Sequence, residues 1–473
     1  MEQKNKKIII VGAGVFGVST AYHLAKSGYK DITLMDKQPY ETNFYESAEN
    51  TADAASSDLS KIIRFSHYNK DYQELAMDAI VEWDKWNESI SKSDDLPQGL
   101  DNDPIYVKSG YARYYTEDFT RNAEEVENSK SFKRVGLEDT QYDLNNERDR
   151  YRAKFSGLSH RLDPLKLYKK KDIKGDEIKA HLDITAGFAY ASRATYYCLY
   201  LAKKLGVKTV FGPQTGSFKE FIKVGKKVKG LVTMDGKLHP ADLVIVACGA
   251  WSPKIVPELQ GINQATSGNI LIIKIPEERK DLIEKYSVKN FPVVAWESYE
   301  KKDDVGGVFF FPLIQPGNYL KFGARLTRYT NPKKVNNKVI SVPITESEDP
   351  AGAKIPADAI STVSMFIKRY MPDIAHLPFH KVRMCWYSET INDDFLIDWV
   401  PDNEGLFVCG GSSEHGFKFL PTIGLFAVER LNGANGRFNK RFAWKKASTK
   451  DSKLFESNLK SLNISDIELK SKI

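Results

Sequence analysis

The chain has 473 residues, of which 41% are hydrophobic and 12% aromatic, so it can bury a large interior and is expected to form two domains. Its net charge of +7 comes from 69 basic and 62 acidic residues spread along the sequence, too mild and scattered a balance to indicate nucleic-acid binding. The sequence also has no apolar run of the roughly 18 residues that a membrane span needs, and its four cysteines form no disulfide or metal-binding pattern.

The first predicted elements are a strand, a helix and a second strand within residues 7–36, KIIIVGAGVFGVSTAYHLAKSGYKDITLMD. Between strand and helix stands Gly12-x-Gly14-x-x-Gly17, and Asp36 ends the second strand. In such a unit the glycines allow a tight turn, the approach of a pyrophosphate and close packing of the helix on the strand. The helix N-terminus suits phosphate and Asp36 suits a ribose hydroxyl. The pattern predicts dinucleotide binding without separating NAD from FAD.

The later elements alternate between two predicted domains. A helix in ATYYCLYLAKKLGV, a hairpin in GKKVKGLVTMDGKL and a buried strand in ADLVIVACGAWSPKIV, ending at Gly249, return the chain to the nucleotide-binding domain. The segments NILIIKI, FPVVAW, GGVFFFPL and NYLKFGARL are predicted strands of a second domain, and Pro372 stops the helix that follows them. His376 and His380 are not expected to bind a metal, because Pro378 breaks the helix that would align them.

The domain boundaries follow from this alternation. The predicted nucleotide-binding domain comprises residues 1–90, 181–265 and 381–436. The second domain comprises residues 91–180 and 266–380, and residues 437–473 form a C-terminal extension.

Three further stretches carry a family resemblance: residues 56–86, SSDLSKIIRFSHYNKDYQELAMDAIVEWDKW, residues 381–398, KVRMCWYSETINDDFLID, and residues 407–424, FVCGGSSEHGFKFLPTIG. With the N-terminal unit they resemble the monomeric sarcosine oxidase family of FAD-dependent amine oxidases, and above all its fungal fructosyl amino acid oxidases (amadoriases) and L-saccharopine or L-pipecolate oxidases. The resemblance covers most of residues 5–430. It implies an α/β fold, α+β overall, with a Rossmann-like FAD-binding domain and a mainly antiparallel β-sheet domain over the flavin.

The resemblance also implies roles for single residues. Cys385, in RMCW, matches a cysteine that bonds through sulfur to the 8α-methyl of FAD; an unmodified core thiol is the alternative. Lys321, in NYLKFG, matches a lysine near flavin N5 that stabilises superoxide as O2 is reduced, and an edge-strand lysine facing water is the alternative. Lys418 and Arg64 match groups that pair with the substrate carboxylate, and Lys61 matches a basic residue over the flavin.

The predicted site comprises further positions in the same motifs. The predicted cofactor-binding residues are Gly12, Gly14, Val15, Phe16, Gly17, Asp36, Lys37, Ser57, Lys61, Gly249, Cys385, Gly411, Gly416, Phe417 and Lys418. The predicted catalytic residues are Lys321, Lys418, Arg64 and Lys61. Two positions depart from the family pattern: Ser413-Glu414 replaces a single glycine, and Lys445 stands where the amadoriases have an arginine.

By this resemblance, the chain is an FAD-dependent oxidase of the C–N bond of an N-substituted amino acid, such as a fructosyl amino acid, saccharopine, pipecolate or sarcosine. A secondary amine would lose a hydride, the imine would hydrolyse, and O2 would reoxidise the flavin to give H2O2. The alternatives are a flavin dehydrogenase with another electron acceptor and a non-catalytic flavin-binding protein. The expected partners are the small amino acid and O2, with no nucleic acid and no membrane, and the chain is expected to be a monomer.

The C-terminal residues 471–473, Ser-Lys-Ile, resemble the Ser-Lys-Leu address that the peroxisomal import receptor reads. A peroxisomal location is therefore expected, and it would place peroxide release beside catalase. The alternative is a cytoplasmic protein whose lysine-rich tail ends this way by chance.

Overall fold

The computed structural model describes residues 2–49, 52–67, 69–116, 122–172, 175–296, 307–335, 337–446 and 461–471. The helices are α1 (Val15–Lys26), α2 (Tyr40–Asn43), α3 (Lys70–Ser91), α4 (Asn122–Arg134), α5 (Glu147–Phe155), α6 (Ser159–Leu162), α7 (Ala191–Lys204), α8 (Ser252–Ile255), α9 (Lys280–Lys285), α10 (Ala357–Tyr370), α11 (Ile423–Leu431) and α12 (Arg437–Arg441). The strands are β1 (Lys7–Val11), β2 (Asp31–Asp36), β3 (Lys61–Ile63), β4 (Tyr106–Val107), β5 (Tyr111–Tyr115), β6 (Gln141–Asp143), β7 (Lys179–Asp183), β8 (Gly187–Ala189), β9 (Lys208–Phe211), β10 (Phe218–Val224), β11 (Lys227–Thr233), β12 (Leu238–Pro240), β13 (Leu243–Val246), β14 (Asn263–Lys274), β15 (Val293–Trp296), β16 (Val308–Phe310), β17 (Tyr319–Thr330), β18 (Pro332–Val335), β19 (Lys338–Ser341), β20 (Ile355–Pro356), β21 (Phe379–Thr390), β22 (Leu396–Trp399), β23 (Leu406–Gly410), β24 (Ser461–Asn463) and β25 (Leu469–Lys470).

The first large sheet has six strands in the order β22-β23-β13-β1-β2-β9. All neighbouring strands are parallel except the edge pair β22 and β23. Helices cover the parallel strands, which is why β1 and β13 are runs of buried aliphatic residues without polar alternation. Helix α1 packs against α7 and α11, so the N-terminal unit and two distant helices share one core.

The second large sheet has nine strands in the order β21-β14-β17-β16-β15-β5-β7-β6, with β24 beside β17. Its centre is antiparallel, because β14 pairs with β17 on one side and with β21 on the other. Helix α10 lies over this sheet and packs Phe366 and Tyr370 against Trp296. The expectation of an α/β fold with a mainly antiparallel second sheet is confirmed.

Sheet membership moves one predicted domain boundary. Strand β21 includes residues 381–390, which the sequence analysis assigned to the nucleotide-binding domain, but it pairs along its length with β14 of the nine-stranded sheet. That assignment is wrong, because a motif that points to a cofactor does not reveal which sheet its strand joins. The chain returns to the six-stranded sheet only at β22.

The C-terminal extension folds back on the second sheet. Strand β24 pairs with β17, and β25 pairs with β20. Lys472 and Ile473 of the predicted peroxisomal signal lie outside the described residues. Within the described ranges, none of the helices is long and apolar enough to cross a membrane.

Candidate active site

The turn between β1 and α1 depends on two of its glycines. Gly12 has a φ of +100°, and a Cβ there would lie 2.4 Å from the carbonyl oxygen of Ala247. A Cβ on Gly17 would lie 1.7 Å from the carbonyl oxygen of Gly12. A side chain at Gly12 would therefore collide with the backbone that follows β13, and one at Gly17 would push α1 away from the turn. The amide of Val15, in the first turn of α1, donates to Ser56 Oγ at 2.8 Å.

A cavity of about 280 Å³ opens in front of this turn. Eight of the predicted cofactor-binding residues line it: Gly12, Gly14, Val15, Phe16, Asp36, Lys37, Gly249 and Gly411. Seven others lie outside its lining: Gly17, Ser57, Lys61, Cys385, Gly416, Phe417 and Lys418. The structure therefore gathers eight of the predicted residues at one cavity, while Gly17 packs behind the turn that borders it.

Asp36 lies at the end of β2 and borders the cavity. Its carboxylate accepts the amide of Ala13 at 2.7 Å and the amide of Gln38 at 2.8 Å. Burial raises the pKa of Asp36, and the two amides work against that rise. Each carboxylate oxygen keeps a further lone pair, so the group can also accept from hydroxyl donors in the cavity.

Two lysines meet at one buried carboxylate. Asp58 Oδ2 accepts Lys61 Nζ and Lys321 Nζ, each at 2.7 Å, and the side chains of Asp58 and Lys321 are only 1% exposed. Lys321 Nζ also donates to the carbonyl oxygen of Ser60 at 2.5 Å. Lys61 Nζ lies 3.7 Å from Cys385 Sγ. The predicted Lys61, Lys321 and Cys385 are thus brought together, through an aspartate that the sequence analysis did not single out.

The charges of this group follow from burial and pairing. Burial alone would raise the pKa of Asp58, but Lys321 and Lys61 outweigh it and hold that pKa well below its usual range. Burial lowers the pKa of Lys321 to about 8, although Asp58 acts in the opposite direction. Burial also lowers the pKa of Lys61, but the nearby Asp58 and Cys385 outweigh burial and raise that pKa above its ordinary value. At neutral pH the carboxylate is therefore ionised and both lysines are charged.

A second cationic group lies on the loop before α11. Lys418 Nζ is hydrogen-bonded to His67 Nε2 near Arg64; the Lys418 side chain is buried and His67 is half-buried. Burial and Arg64 lower the pKa of Lys418 well below its usual value. Burial and Lys418 lower the pKa of His415 to about 3, and its ring stacks on Phe395. Within the described parts of the chain, neither Lys418 nor Arg64 has a carboxylate partner, so an anion would be stabilised there.

The two departures from the family pattern have different surroundings. Glu414 forms ion pairs with Arg325 and with Arg328, the latter at 3.3 Å. Lys445 is half-buried, and its Nζ lies 3.5 Å from the carbonyl oxygen of Lys440. The structure therefore gives Lys445 no contact with the other predicted residues.

Several residues of the site were missed by the sequence analysis. Asp58 and His67 both stand in the 56–86 segment, and the spacing of Asp58 three residues before Lys61 is the kind of signal that could have found it. Arg325 and Arg328 carry no comparable sequence signal. Among the described residues, no cluster of three or more His, Cys, Asp or Glu side chains could hold a metal ion.

Comparisons with known proteins agree with this geometry. A family model described as FAD dependent oxidoreductase matches residues 7–430. The chain is 26% identical to L-saccharopine oxidase of Schizosaccharomyces pombe over 91% of this chain and 90% of that protein. It is also 26% identical to amino acid oxidase imqH of Aspergillus flavus, over 91% and 94% of the two chains. Among solved structures, a modified fructosyl peptide oxidase from Aspergillus nidulans superposes with a TM-score of 0.79 at 25% identity, covering 98% of this chain and 99% of that one.

Proposed function

Since the chain belongs to the family of FAD dependent oxidoreductases, we propose that it is an oxidase of the C–N bond of an N-substituted amino acid. The observation that carries this proposal is the arrangement of two separate cationic groups. One is the pair Lys61 and Lys321 on Asp58, beside Cys385. The other is the group around Lys418, without a carboxylate partner among the described residues. The first suits a cofactor and O2, and the second suits the substrate carboxylate.

The residues present fit FAD. The cavity in front of the β1–α1 turn is lined by Gly12 and Gly14, where backbone can approach a pyrophosphate, and by the buried carboxylate of Asp36, which has lone pairs left for ribose hydroxyls. When bound, FAD would accept the hydride that leaves the carbon next to the amine nitrogen. Every other contribution comes from the side chains of this chain.

The substrate carboxylate is assigned to Lys418, with Arg64 and His67 beside it. The pKa of Lys418 lies well below its usual value when the pocket holds no anion. A carboxylate at hydrogen-bond distance would raise that pKa again, so a bound substrate would stabilise the ammonium form of Lys418. The amine would then be held as the neutral base, whose lone pair can drive hydride loss, because a buried cationic pocket disfavours an ammonium group.

Lys321 is assigned to O2. A buried ammonium fixed by Asp58 needs no rearrangement when negative charge develops on oxygen, which is the condition for strong electrostatic stabilisation. The products of this half-reaction would be oxidised cofactor and H2O2. A dehydrogenase with another acceptor would have no use for a buried, charged lysine at this place.

Cys385 is assigned to covalent attachment of the flavin. Its sulfur is buried, and the Lys61 ammonium lies 3.7 Å from it, so a positive charge stands beside the atom at which the flavin would attach. After acid precipitation, the wild-type polypeptide should retain its yellow flavin, and Cys385→Ser should release it. Cys248→Ser is the matched control that should still retain it, and a yellow wild-type supernatant would refute the attachment.

The experiment that tests the activity is peroxide production by purified protein. The substrates would be sarcosine, L-pipecolate, L-saccharopine, fructosyl-valine and ε-fructosyl-lysine. Oxidation of at least one with equimolar peroxide is the expected result. If the flavin is reduced by an amine but peroxide does not form, the dehydrogenase alternative is correct. If the flavin stays oxidised with every amine, the non-catalytic alternative is correct.

We also propose that the protein is a monomer that enters peroxisomes through its C-terminal Ser-Lys-Ile. The support is the sequence signal alone, together with the benefit of releasing peroxide beside catalase. A fluorescent protein carrying residues 461–473 should localise with peroxisomes, and the same fusion without the last three residues should not. Light scattering during gel filtration tests the monomer.

A further inference from the structure

A group of charged side chains lies on the sheet face that also carries Lys321 and Cys385. Side chains alternate along a strand, so Arg325 on β17 points to the same face as Lys321, and Tyr387 on β21 to the same face as Cys385. The guanidinium carbon of Arg325 lies 3.9 Å from the centre of the Tyr387 ring. The charged group is therefore continuous with the candidate active site.

The β17 backbone brings a second arginine to the same place. Asn269 of β14 pairs with Ala324, whereas Ser267, two residues earlier, pairs with Tyr329, five residues later. The segment 325–328 therefore bulges out of the ladder. Bulges redirect side chains and are common next to active sites. Here the bulge lets Arg325 and Arg328, three residues apart, converge on the same two carboxylates.

Those carboxylates belong to Glu389 and Glu414. Arg325 pairs with Glu389 at 2.5 Å and also with Glu414, while Arg328 pairs with Glu389 at 3.2 Å and with Glu414 at 3.3 Å. Nε of Arg328 is buried and has no acceptor among the described residues, and Nε and Nη1 of Arg325 have none there apart from the neighbouring Tyr387 side chain. The Arg325 side chain is only 10% exposed. Buried donors without acceptors are unfavourable, so the site has capacity for a ligand that supplies acceptor oxygens.

Of the two carboxylates, Glu414 is held less firmly at the arginines than Glu389. Its side chain is 37% exposed, against 4% for Glu389. Glu414 and its neighbour Ser413 have φ values of 68° and 37°, a backbone region that residues other than glycine rarely adopt. Glu414 can therefore leave the arginines for solvent more readily than Glu389 can.

We propose that Arg325 and Arg328 form a subsite for a second carboxylate of the substrate, and that Glu414 occupies this subsite until the substrate displaces it. The inference rests on the proposed function and narrows its substrate class to N-(carboxyalkyl) amino acids, secondary amines with a carboxylate on both substituents. Guanidinium forks match the two oxygens of a carboxylate better than the scattered hydroxyls of a sugar. Four residues of strand separate Lys321 from Arg325 by about 13 Å, so the subsite lies at the far end of the N-substituent.

The test uses the flavin-loaded enzyme and matched substrate pairs. Each pair consists of an N-(ω-carboxyalkyl)glycine and the N-alkylglycine of the same length, in a series of increasing spacer length, with fructosyl-glycine as the hydroxylated comparison. Steady-state kinetics give kcat/KM for each compound. A second readout is the change in flavin absorbance on titration with thioether analogues, in which sulfur replaces the amine nitrogen, so binding is measured without turnover.

Two variants act in opposite directions on the proposed subsite. Arg328→Gln should lower the ratio of kcat/KM for carboxyalkyl over alkyl substrates about 10- to 100-fold, the range for losing a hydrogen bond to a charged group. Glu414→Gln removes the competing carboxylate and should raise the same ratio. If these ion pairs only stabilised the fold, the two variants would not change the kcat/KM ratio in opposite directions. Arg279→Gln, which removes an exposed arginine paired with Asp281, is the control that should leave the ratio unchanged.

The outcomes separate this inference from the proposed function. If amines are oxidised but Arg328→Gln and Glu414→Gln leave the ratio unchanged, the subsite is refuted and the oxidase stands. If Arg328→Gln weakens fructosyl-glycine as much as the carboxyalkyl substrates, the ligand class is wrong. If no amine is oxidised, the proposed function fails, but the flavin absorbance titrations still test the subsite. Tighter binding of the thioether analogue with two carboxylates than of the analogue with an alkyl group supports the subsite. Equal binding of the two analogues refutes it.

Discussion

Asp58 determines whether Lys321 is charged, and Asp58→Asn tests that dependence. In the folded protein Lys321 has a pKa of about 8, which burial lowers and Asp58 supports. The substitution keeps the size and shape of the side chain but removes its charge. Lys321 would then lie 1% exposed beside the like charge of Lys61, with no carboxylate to balance either ammonium.

The magnitude follows from the loss of one adjacent opposite charge, which typically shifts a pKa by about 1–3 units. If the pKa of Lys321 falls by about 2 units, its charged fraction at pH 7 falls about tenfold. A lysine is charged below its pKa, so the wild type should reoxidise rapidly up to about pH 8 and more slowly above it. In Asp58→Asn the rate of reoxidation should begin to decline about 2 pH units lower than in the wild type. The reoxidation rate of this variant should therefore recover at about pH 5.

The assay is stopped-flow reoxidation of anaerobically reduced enzyme by O2 across this pH range. The control is Asp183→Asn, which neutralises a fully buried carboxylate that accepts from Gln141 at 3.0 Å in the same sheet, away from the lysines. Both variants should lose stability, but only Asp58→Asn should shift the pH at which reoxidation slows. A uniform rate loss with an unshifted pH profile would refute the electrostatic role of Asp58.

Two further predictions follow from the site. Lys321→Met should slow reoxidation by O2 about 100-fold or more and slow reduction by substrate far less, as separate stopped-flow measurements of the two half-reactions would establish; equal losses would contradict the assignment of Lys321 to O2. Gly17→Ala places a Cβ 1.7 Å from the Gly12 carbonyl oxygen and should lower the free energy of unfolding by at least about 1–3 kcal/mol and reduce the flavin content. Gly14→Ala, whose Cβ would meet Ser56 Oγ at 3.1 Å, should lower the free energy of unfolding by less. Denaturant unfolding curves of the two variants measure this difference.

The N-terminal unit could be predicted from sequence because its determinants are local. The glycine spacing, the aliphatic run of β1 and the acid at position 36 all fall within 30 residues, where strand and helix periodicities can be read directly. The group around Asp58 could not be predicted in the same way. Its members come from positions 58, 61, 321 and 385. The pairing of β14 with β17 and β21 brings Lys321 and Cys385 onto one sheet, and the segment of Asp58 and Lys61 reaches them only through tertiary contact.

The error at residues 381–390 has the same origin. The sequence RMCW points to the cofactor, and this resemblance predicts a place in the nucleotide-binding domain for the whole stretch. A strand joins whichever sheet offers it a partner, and the partner of β21 is β14, whose residues lie more than 100 positions earlier. Cys385 can thus belong to one sheet by hydrogen bonding while its side chain contributes to a site shared with Lys61 of another segment.

The structure gives the departure from the family pattern at Ser413-Glu414 a different interpretation from the sequence. Taken alone, a departure such as Ser413-Glu414 is compatible with the non-catalytic alternative. In the structure Ser413 donates its amide to the carbonyl oxygen of Ser388, and Glu414 meets two arginines that the bulge in β17 presents. The acid in the altered loop and two arginines from a distant strand therefore form ion pairs with each other, which is the arrangement that the proposed Arg325 and Arg328 subsite requires.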